Sequence, residues 1–160
     1  MKGVTVRSMD PPAESDREAI IDGLLGYNAE RGVPWMGRDL AVVAWDKSGA
    51  VIGGLLGQTN IGWLFVAALW VAAPYRGRGV GSALLAEAER EARRRDCIGV
   101  YLDTYSFQAR PFYERLGYEL FGTLPDCPPG GAKYYLYKRL SGVRAKRTAA
   151  KRGRRMDGTR

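Results

Sequence analysis

The spacing of apolar residues along the chain predicts seven strands and three helices. Period-two alternation and short apolar runs predict strands over residues 4–9, 40–45, 50–58, 63–71, 98–104, 118–123 and 133–140. Apolar residues at helical spacing predict helices over residues 17–31, 82–95 and 108–116. The resulting order β-α-β-β-β-α-β-α-β-β is typical of an α/β or α+β domain with one mixed sheet.

Local sequence signals predict where several of these elements begin and end. Ser15 followed by Glu18 forms a capping-box pattern, which predicts that the first helix begins just after Ser15. The turn sequence DKSG at residues 46–49 connects two strands as a hairpin, and Gly117 ends the third helix. Residues 63–71 are apolar throughout, so we expect a central strand that is covered on both faces.

The second predicted helix is amphipathic. Leu85, Ala88 and Ala92 share one of its faces. Glu89 and Arg93 are spaced as an i,i+4 ion pair, which we expect on the other face.

Composition bounds the class of protein. The 160 residues, 46% apolar and 26% charged, are ordinary for one globular domain. Residues 1–10 lack the apolar region of a signal peptide, and the longest apolar run, residues 61–74, is shorter than the roughly 18 residues of a membrane span. Cys97 and Cys127 form neither a CxxC pair nor a disulfide framework, so we expect a cytoplasmic protein. The absence of histidine excludes a histidine-based triad and a His-ligated zinc site, and we expect no metal.

Positive charge is concentrated at the C-terminal end. Residues 141–160 carry eight Lys and Arg against one Asp, so they contribute +7 of the net charge of +8. Since their only larger apolar residues are Val143 and Met156, we expect a folded domain over residues 1–140 and a disordered tail over residues 141–160. The tail is a candidate for contact with nucleic acid or another polyanion, and a solubilising tail without a partner is the alternative.

An arginine- and glycine-rich loop joins the predicted strand 63–71 to the following helix. Its segment Arg76-Gly77-Arg78-Gly79-Val80-Gly81 places three glycines ahead of a helix N-terminus, whose unpaired amides attract anions. Glycine lets those amides approach a ligand closely, and arginine matches the geometry of phosphate oxygens. The spacing fits neither a Walker A loop nor a dinucleotide-binding Gly-x-Gly-x-x-Gly. We expect the loop to bind a pyrophosphate, and a plain turn with solvated arginines is the alternative.

Two blocks of the sequence resemble the GNAT family of N-acetyltransferases. Residues 76–81 have the form Arg-x-x-Gly-x-Gly, which is similar to the acetyl-CoA-binding motif of that family. Residues 106–118, SFQARPFYERLGY, resemble a second motif that contains Ala, Tyr-Glu and Gly-Phe/Tyr at similar spacing. The likeness covers residues 3–140 in the order of elements and is most specific over residues 69–118. It implies the GNAT fold, in which a single mixed and mostly antiparallel sheet is flanked by helices.

The resemblance also implies where acetyl-CoA binds and which residue assists the reaction. The amides from Arg76 to Ser82 would hold the pyrophosphate, and the strand Leu69-Trp70-Val71 would pair with the pantetheine arm. Tyr113 corresponds to the family's tyrosine that protonates the departing thiolate, and a packing aromatic is the alternative. The expected cofactor-binding residues are Leu69, Trp70, Val71, Arg76, Gly77, Arg78, Gly79, Val80, Gly81, Ser82 and Ser106.

The sequence departs from the family pattern at two places. Ser106 stands where the family often has asparagine, so its contact with the cofactor would be shorter or missing. The segment 63–69 contains no carboxylate, whereas many relatives carry a general base on this strand. Asp103, Glu119 and Asp126, each acting through water, are alternative bases, and a further alternative is an acceptor that arrives as a neutral amine.

These features favour an acyltransferase that moves the acetyl group of acetyl-CoA to a primary amine by direct attack in a ternary complex. Helix 17–31 and the loop 125–131 are the expected acceptor-binding elements, with residues 27–35 as a candidate lid. A polyamine, an aminoglycoside-like antibiotic and a lysine side chain are equally compatible cationic acceptors, since acids stand in these regions: Glu30, Asp39 and Asp126.

Two other functions fit the same sequence. A non-catalytic acyl-CoA-binding or regulatory module is favoured by the missing carboxylate in segment 63–69. A nucleic-acid-associated protein would act through the tail at residues 141–160. An exposed last strand, residues 133–140, would permit a homodimer by edge-to-edge pairing.

Overall fold

The computed structural model describes residues 3–142, which divide into two compact units, residues 3–35 and residues 36–142. Most of the predicted basic tail, from residue 143 onward, lies outside the described residues. One folded domain over residues 1–140 and a disordered tail after it stay predictions.

The first unit contains one helix, α1 (Glu14–Glu30), none of whose residues is buried. The capping box predicted at Ser15 is wrong, because Ala13 occupies the N-cap position and no side chain caps the helix. Ser15 is already part of the first turn, where its hydroxyl is not in an N-cap position. The acids Glu14 and Asp16 in that turn complement the positive end of the helix dipole and favour a start at this point.

The strand predicted over residues 4–9 does not form, so that prediction is wrong. Val4 and Val6 expose 59% and 85% of their surface. A strand is stable only when a neighbour satisfies its backbone groups, and no strand among the described residues pairs with this segment. The weak alternation of apolar residues is insufficient without such a partner.

Residues 36–142 form a six-stranded sheet with two α-helices. The strands are β1 (Arg38–Trp45), β2 (Val51–Asn60), β3 (Trp63–Val71), β4 (Gly99–Tyr105), β5 (Glu119–Pro125) and β6 (Ala132–Arg139), and the helices are α2 (Val80–Arg94) and α3 (Arg110–Arg115). The sheet order is β1-β2-β3-β4-β6-β5, with only the β3–β4 pair parallel. After the absent first strand, the predicted order of elements is confirmed, as is the mixed, mostly antiparallel sheet.

The sheet order corrects the expectation of an exposed last strand. β6 lies between β4 and β5, so strands flank it on both sides and it offers no edge. The edge strands of this unit are β1 and β5. Edge-to-edge pairing through β6 is therefore ruled out, and a homodimer by another surface stays a prediction.

One face of the sheet packs against α2. The buried residues of α2 include Leu85, Ala88 and Ala92, which confirms the predicted apolar face. They join the buried side chains of the strands in one core: Leu40, Leu55, Leu64, Val66, Val100, Leu102 and Leu136.

Glu89 of α2 is 7% exposed and is buried with the apolar residues, so the prediction that it lies on the other face is wrong, whereas its predicted ion pair with Arg93 is confirmed. Its carboxylate accepts hydrogen bonds from Lys138 Nζ at 2.8 and 3.0 Å and from the Tyr118 hydroxyl at 3.2 Å. The predicted partner Arg93 is more distant, at 3.8 Å. The carboxylate can be buried because its charge and both of its oxygens are satisfied by residues distant in sequence.

β3 and β4 separate halfway along their length. They pair from Trp63–Val66 to Gly99–Leu102 and no further. At this point a β-bulge inserts Ala67 as an extra residue opposite β2 and bends β3. The expectation that β3 is covered on both faces is wrong for its second half, where Ala68 and Trp70 are exposed. The strands diverge beyond the bulge and leave an open gap in the sheet.

Candidate active site

A cleft of about 890 Å³ extends from the gap between β3 and β4. Its walls are the second half of β3, the end of β4, the loop before α2, and α3. A volume of this size is typical of sites for small molecules and cofactors. The sequence-predicted site residues that line the cleft are Leu69, Trp70, Val71, Arg76, Gly77, Gly79, Val80, Gly81, Ser82 and Tyr113. Arg78 and Ser106 do not line it.

The loop before α2 presents six consecutive amides, from Gly77 to Ser82, that have no acceptor in the described part of the chain. The first bond into the helix runs from the Ala83 amide to the Gly79 carbonyl at 2.9 Å. Because α2 begins at Val80, three of these amides also lie in the first helical turn, where the helix dipole adds positive potential. The arrangement is suited to an anion with several oxygens.

Glycines make this loop conformation possible. Gly77 and Gly79 have φ of 71° and 83°, in the left-handed region that other residues rarely adopt. A Cβ at either position would meet no atom within 4 Å, so the space above this backbone is open to a ligand. Gly81 has a different role, since a Cβ there would lie 3.2 Å from the Phe112 ring and disturb the contact between α2 and α3.

The two loop arginines are placed differently. Arg76 lines the cleft, and its Nε donates a hydrogen bond to the Val71 carbonyl at the end of β3 at 2.9 Å. Its amide donates to the Ala73 carbonyl at 3.3 Å, so the row of amides without acceptors begins at Gly77. The expectation that the Arg76 amide belongs to this row is therefore wrong. The Arg78 guanidinium lies 5.9 Å from the centre of the Tyr75 ring, and Arg78 itself does not line the cleft, although Tyr75 does.

Tyr113 is 8% exposed and reaches the cleft from α3. Its ring makes edge contacts with Phe112 and Tyr118, at centroid distances of 5.1 and 6.0 Å. Its hydroxyl has no hydrogen-bond partner among the described residues. Because this hydroxyl is not fully buried and Tyr113 lines the cleft, a ligand bound in the cleft can form a hydrogen bond with it. Burial, and secondarily the negative charge of Asp103, raises the pKa of Tyr113, which therefore retains its proton at neutral pH.

The second motif also contributes residues whose roles the sequence left open. Ser106 does not face the cleft, and its hydroxyl accepts the Ala132 amide at 3.1 Å. Gln108 lines the cleft, and its carbonyl oxygen accepts from Thr104 Oγ1 at 3.0 Å and from the Tyr105 amide at 2.9 Å. Gln108 therefore fixes the end of β4 to the start of α3. Its position two residues after Ser106 was visible in the sequence, but its partners were not.

The three candidate bases separate clearly in space. Asp103 lies on β4 just beyond the last β3–β4 pair and lines the cleft. Its Oδ1 is 2.8 Å from Lys133 Nζ. Glu119 accepts a hydrogen bond from the Tyr137 hydroxyl at 3.1 Å, and Asp126 lies in the exposed loop after β5. Neither of these two lines the cleft, so among the described residues Asp103 is the only carboxylate that does.

Residues 3–142 contain neither a candidate metal site nor a candidate membrane span. No group of three His, Cys, Asp or Glu side chains converges there as a metal site. No helix in this range has the length and apolar character needed to cross a membrane.

Comparison with known proteins gives consistent matches. The sequence profile of the acetyltransferase (GNAT) family matches residues 11–118. The chain is 41% identical over 128 residues to an acetyltransferase of Agrobacterium fabrum, covering 80% of this chain and 93% of that protein. It is 46% identical over 101 residues to a blasticidin-S acetyltransferase of Streptomyces morookaense, covering 62% of this chain and 74% of that protein.

A solved structure supports the same assignment at the level of the fold. The crystal structure of an acetyltransferase from Bacillus cereus superposes with a TM-score of 0.79 at 29% sequence identity, covering 88% of this chain and all of that one. The profile match spans well over half of the chain, including the loop before α2 and Tyr113. The chain therefore belongs to the GNAT family of acetyltransferases.

Proposed function

We propose that this protein transfers the acetyl group of acetyl-CoA to a primary amine, with both substrates bound at once. The observation that carries the proposal is the row of amides from Gly77 to Ser82, which ends a cleft that also contains the Tyr113 hydroxyl. The amides suit a diphosphate at one end of the cleft, and the phenol suits a group that needs a proton farther along it.

The residues present fit acetyl-CoA, the substrate that the family uses. The amides of Gly77 to Ser82 would bind the diphosphate, and the open space above Gly77 and Gly79 leaves room for it. Arg76 would add a charge-assisted donor while its Nε bond to Val71 keeps the loop attached to β3. When bound, acetyl-CoA supplies an activated acetyl thioester.

The second half of β3 would orient the pantetheine arm. From Ala67 to Val71 this strand has no strand partner on the side of β4. Apart from the Val71 carbonyl, which accepts from Arg76 Nε, its backbone groups on that side are available to an extended ligand. A backbone amide on this edge could also donate to the thioester carbonyl, as in other acyl transfers. Tyr113 would hold a proton on its hydroxyl for the departing sulfur, because its raised pKa keeps the phenol neutral.

The acceptor is best sought among small amines. The identity of 46% to a blasticidin-S acetyltransferase supports blasticidin S as the first acceptor to test. Polyamines, aminoglycosides and lysine side chains remain alternatives. The absence of a carboxylate on β3 keeps a non-catalytic acyl-CoA-binding module as a second function, which predicts binding without turnover.

The proposal is tested by release of free CoA from acetyl-CoA across blasticidin S, polyamines, aminoglycosides, amino acids and basic peptides. We expect acetyl-CoA to raise the melting temperature and at least one amine to release CoA. A rise in melting temperature without CoA release for any amine would instead support the non-catalytic module. No rise at saturating acetyl-CoA would contradict both.

The basic tail is tested separately with a chain ending at residue 140. A polyanion-binding tail predicts that this truncation weakens salt-dependent binding to DNA or RNA while CoA release is unchanged. Equal binding by both chains would contradict a role of the tail in nucleic-acid contact.

A further inference from the structure

An ion pair lies beside the cleft where β4 leaves β3. Asp103 is opposite Tyr135 of β6, and Lys133 is opposite Tyr105, so all four side chains share one face of the β4–β6 pair. Lys133 Nζ lies 2.8 Å from Asp103 Oδ1. Their side chains are only 21% and 24% exposed, so the pair is shielded from solvent more than a surface ion pair is.

Asp103 has an acceptor, and Lys133 has donors, that form no hydrogen bond with the described residues. Asp103 Oδ2 accepts no hydrogen bond or ion pair from the described residues. Lys133 has three N–H donors, and apart from Asp103 its neighbours are the ring faces of Tyr105 and Tyr135, at 5.2 and 5.7 Å. The hydrogen bond that Lys133 donates to Asp103 raises the pKa of Lys133, so the ammonium is retained.

The strand β3 and the helix α3 contribute uncharged side chains beside this pair. From β3, Phe65 packs against Tyr101 of β4 and Ala67 lines the cleft together with Asp103, and from α3 the uncharged Tyr113 lines the same cleft. One positive and one negative charge therefore stand side by side between aromatic rings. Such a surface complements a ligand that carries both charges at a similar spacing.

Building on the proposed function, we infer that Asp103 and Lys133 bind the acceptor and select amines that carry an acidic group close to the amine. The amine end would donate to Asp103 Oδ2, and the acidic end would accept from Lys133 Nζ. When such a zwitterion binds, two ion pairs replace the single pair between Asp103 and Lys133, one from its amine to Asp103 and one from its acidic group to Lys133. An amine without the acidic group gains the contact with Asp103 but stays close to the like charge of Lys133.

The experiment compares amino acids with their carboxamides, which keep the amine and remove only the negative charge. CoA release is measured for wild type and for Lys133→Met, Lys133→Arg and Lys47→Met at saturating acetyl-CoA. Lys47 serves as the matched control because it is an exposed lysine in the hairpin turn between β1 and β2.

We expect wild type to prefer the acids over the carboxamides by about 10- to 100-fold in kcat/KM, the effect of one charge-assisted hydrogen bond. Lys133→Met should lose this preference, while Lys133→Arg and Lys47→Met should keep it. The KM for acetyl-CoA should not change in any variant. Equal use of acids and carboxamides by wild type, or an unchanged preference in a folded Lys133→Met, would overturn the inference.

A binding measurement separates this inference from the proposed function. If no probe releases CoA, the same pairs are titrated against the ¹⁵N-labelled chain and followed at the amides of Asp103, Tyr105 and Lys133. Shifts caused by the acids alone would support the zwitterion site without the enzyme activity. Equal shifts, or none, for both members of each pair would overturn the inference. Acetyl-CoA binding would still be tested separately, by the rise in melting temperature.

Discussion

The two halves of the β3–β4 pair have the same strands but different surroundings. In the paired half, Leu64, Val66, Val100 and Leu102 are each at most 4% exposed and belong to the core. In the parted half the strands line the cleft instead. The bulge at Ala67 separates the two halves. One extra residue in a strand thus divides a region that contributes stability from a region that can accept a ligand.

Two ion pairs show the same contrast. Both carboxylate oxygens of Glu89 accept hydrogen bonds from Lys138, and Oε1 also accepts one from the Tyr118 hydroxyl. Asp103, beside the cleft, pairs with Lys133 through Oδ1 alone among the described residues. The Glu89 cluster is saturated, meaning that both carboxylate oxygens accept hydrogen bonds from the protein, as expected of a structural ion pair. The second has an oxygen available to a ligand.

The largest effect should come from the parted half, by replacing Tyr113 with phenylalanine. This change keeps the ring contacts and removes the hydroxyl proton, so kcat should fall by ~10²–10⁴ with acetyl-CoA affinity unchanged. Steady-state kinetics and calorimetry measure the two quantities. Full activity in Tyr113→Phe would remove the assigned role.

The pH profile of wild type provides a second check on Tyr113. Because its pKa is raised, the phenol stays protonated beyond the ordinary value of about 10, and activity that depends on this proton should persist up to that pH. Loss of activity through deprotonation of this group should occur only above it. A decline near neutral pH that is absent in Tyr113→Phe would contradict this assignment.

Two leucines of β3 test the difference between the halves by the same substitution. Leu64→Ala, in the fully buried half, should lower the free energy of unfolding by ~2–5 kcal/mol. Leu69→Ala, on the cleft wall, should cost less stability and weaken acetyl-CoA binding. Urea denaturation and calorimetry give both numbers. Equal losses of stability would mean that the second half of β3 is as tightly packed as the first.

The saturated ion cluster should matter for stability more than the one beside the cleft. Lys138→Met leaves the Glu89 carboxylate buried without its ammonium partner, at a cost of ~2–4 kcal/mol in unfolding free energy. Lys133→Met should have a smaller effect. The double variant Glu89→Gln/Lys138→Met should recover part of the loss. A larger effect at Lys133 would reverse the proposed division between structural and ligand-binding pairs.

The smallest predicted effect distinguishes the two loop arginines. Arg76→Ala should raise the KM for acetyl-CoA by about tenfold, through the loss of a charge-assisted donor and of the bond to Val71. Arg78→Ala should change it less, because Arg78 does not line the cleft. Equal effects would show that Arg78 reaches the bound ligand.

The sequence predicted most strands and helices because their apolar periodicity reflects local packing. β3 was predicted with its observed bounds, Trp63–Val71, and the glycine loop was placed correctly between β3 and α2. The bulge at Ala67 was not predictable, since it depends on the register with β2. An apolar strand buried on both faces and an apolar strand lining a cleft have the same composition.

Contacts between residues distant in sequence account for the remaining differences. Lys138 lies 49 residues after Glu89, so the sequence around Glu89 contains no signal that its carboxylate is buried. The pairing of Asp103 with Lys133 likewise depends on β6 returning beside β4. The Ser106 hydroxyl accepts the amide of Ala132, the first residue of β6, and this contact likewise depends on β6 returning beside β4.

The central claim is that the amides of the loop before α2 bind the diphosphate of coenzyme A. Selective ¹⁵N-glycine labelling reduces the amide spectrum to the 21 glycines of the chain, and the labelled protein is titrated with coenzyme A and with pantetheine, which lacks the phosphates. The signals of Gly77, Gly79 and Gly81 should shift with coenzyme A and remain nearly unchanged with pantetheine. The claim is contradicted if these three signals stay in place at saturating coenzyme A, or if pantetheine shifts them equally.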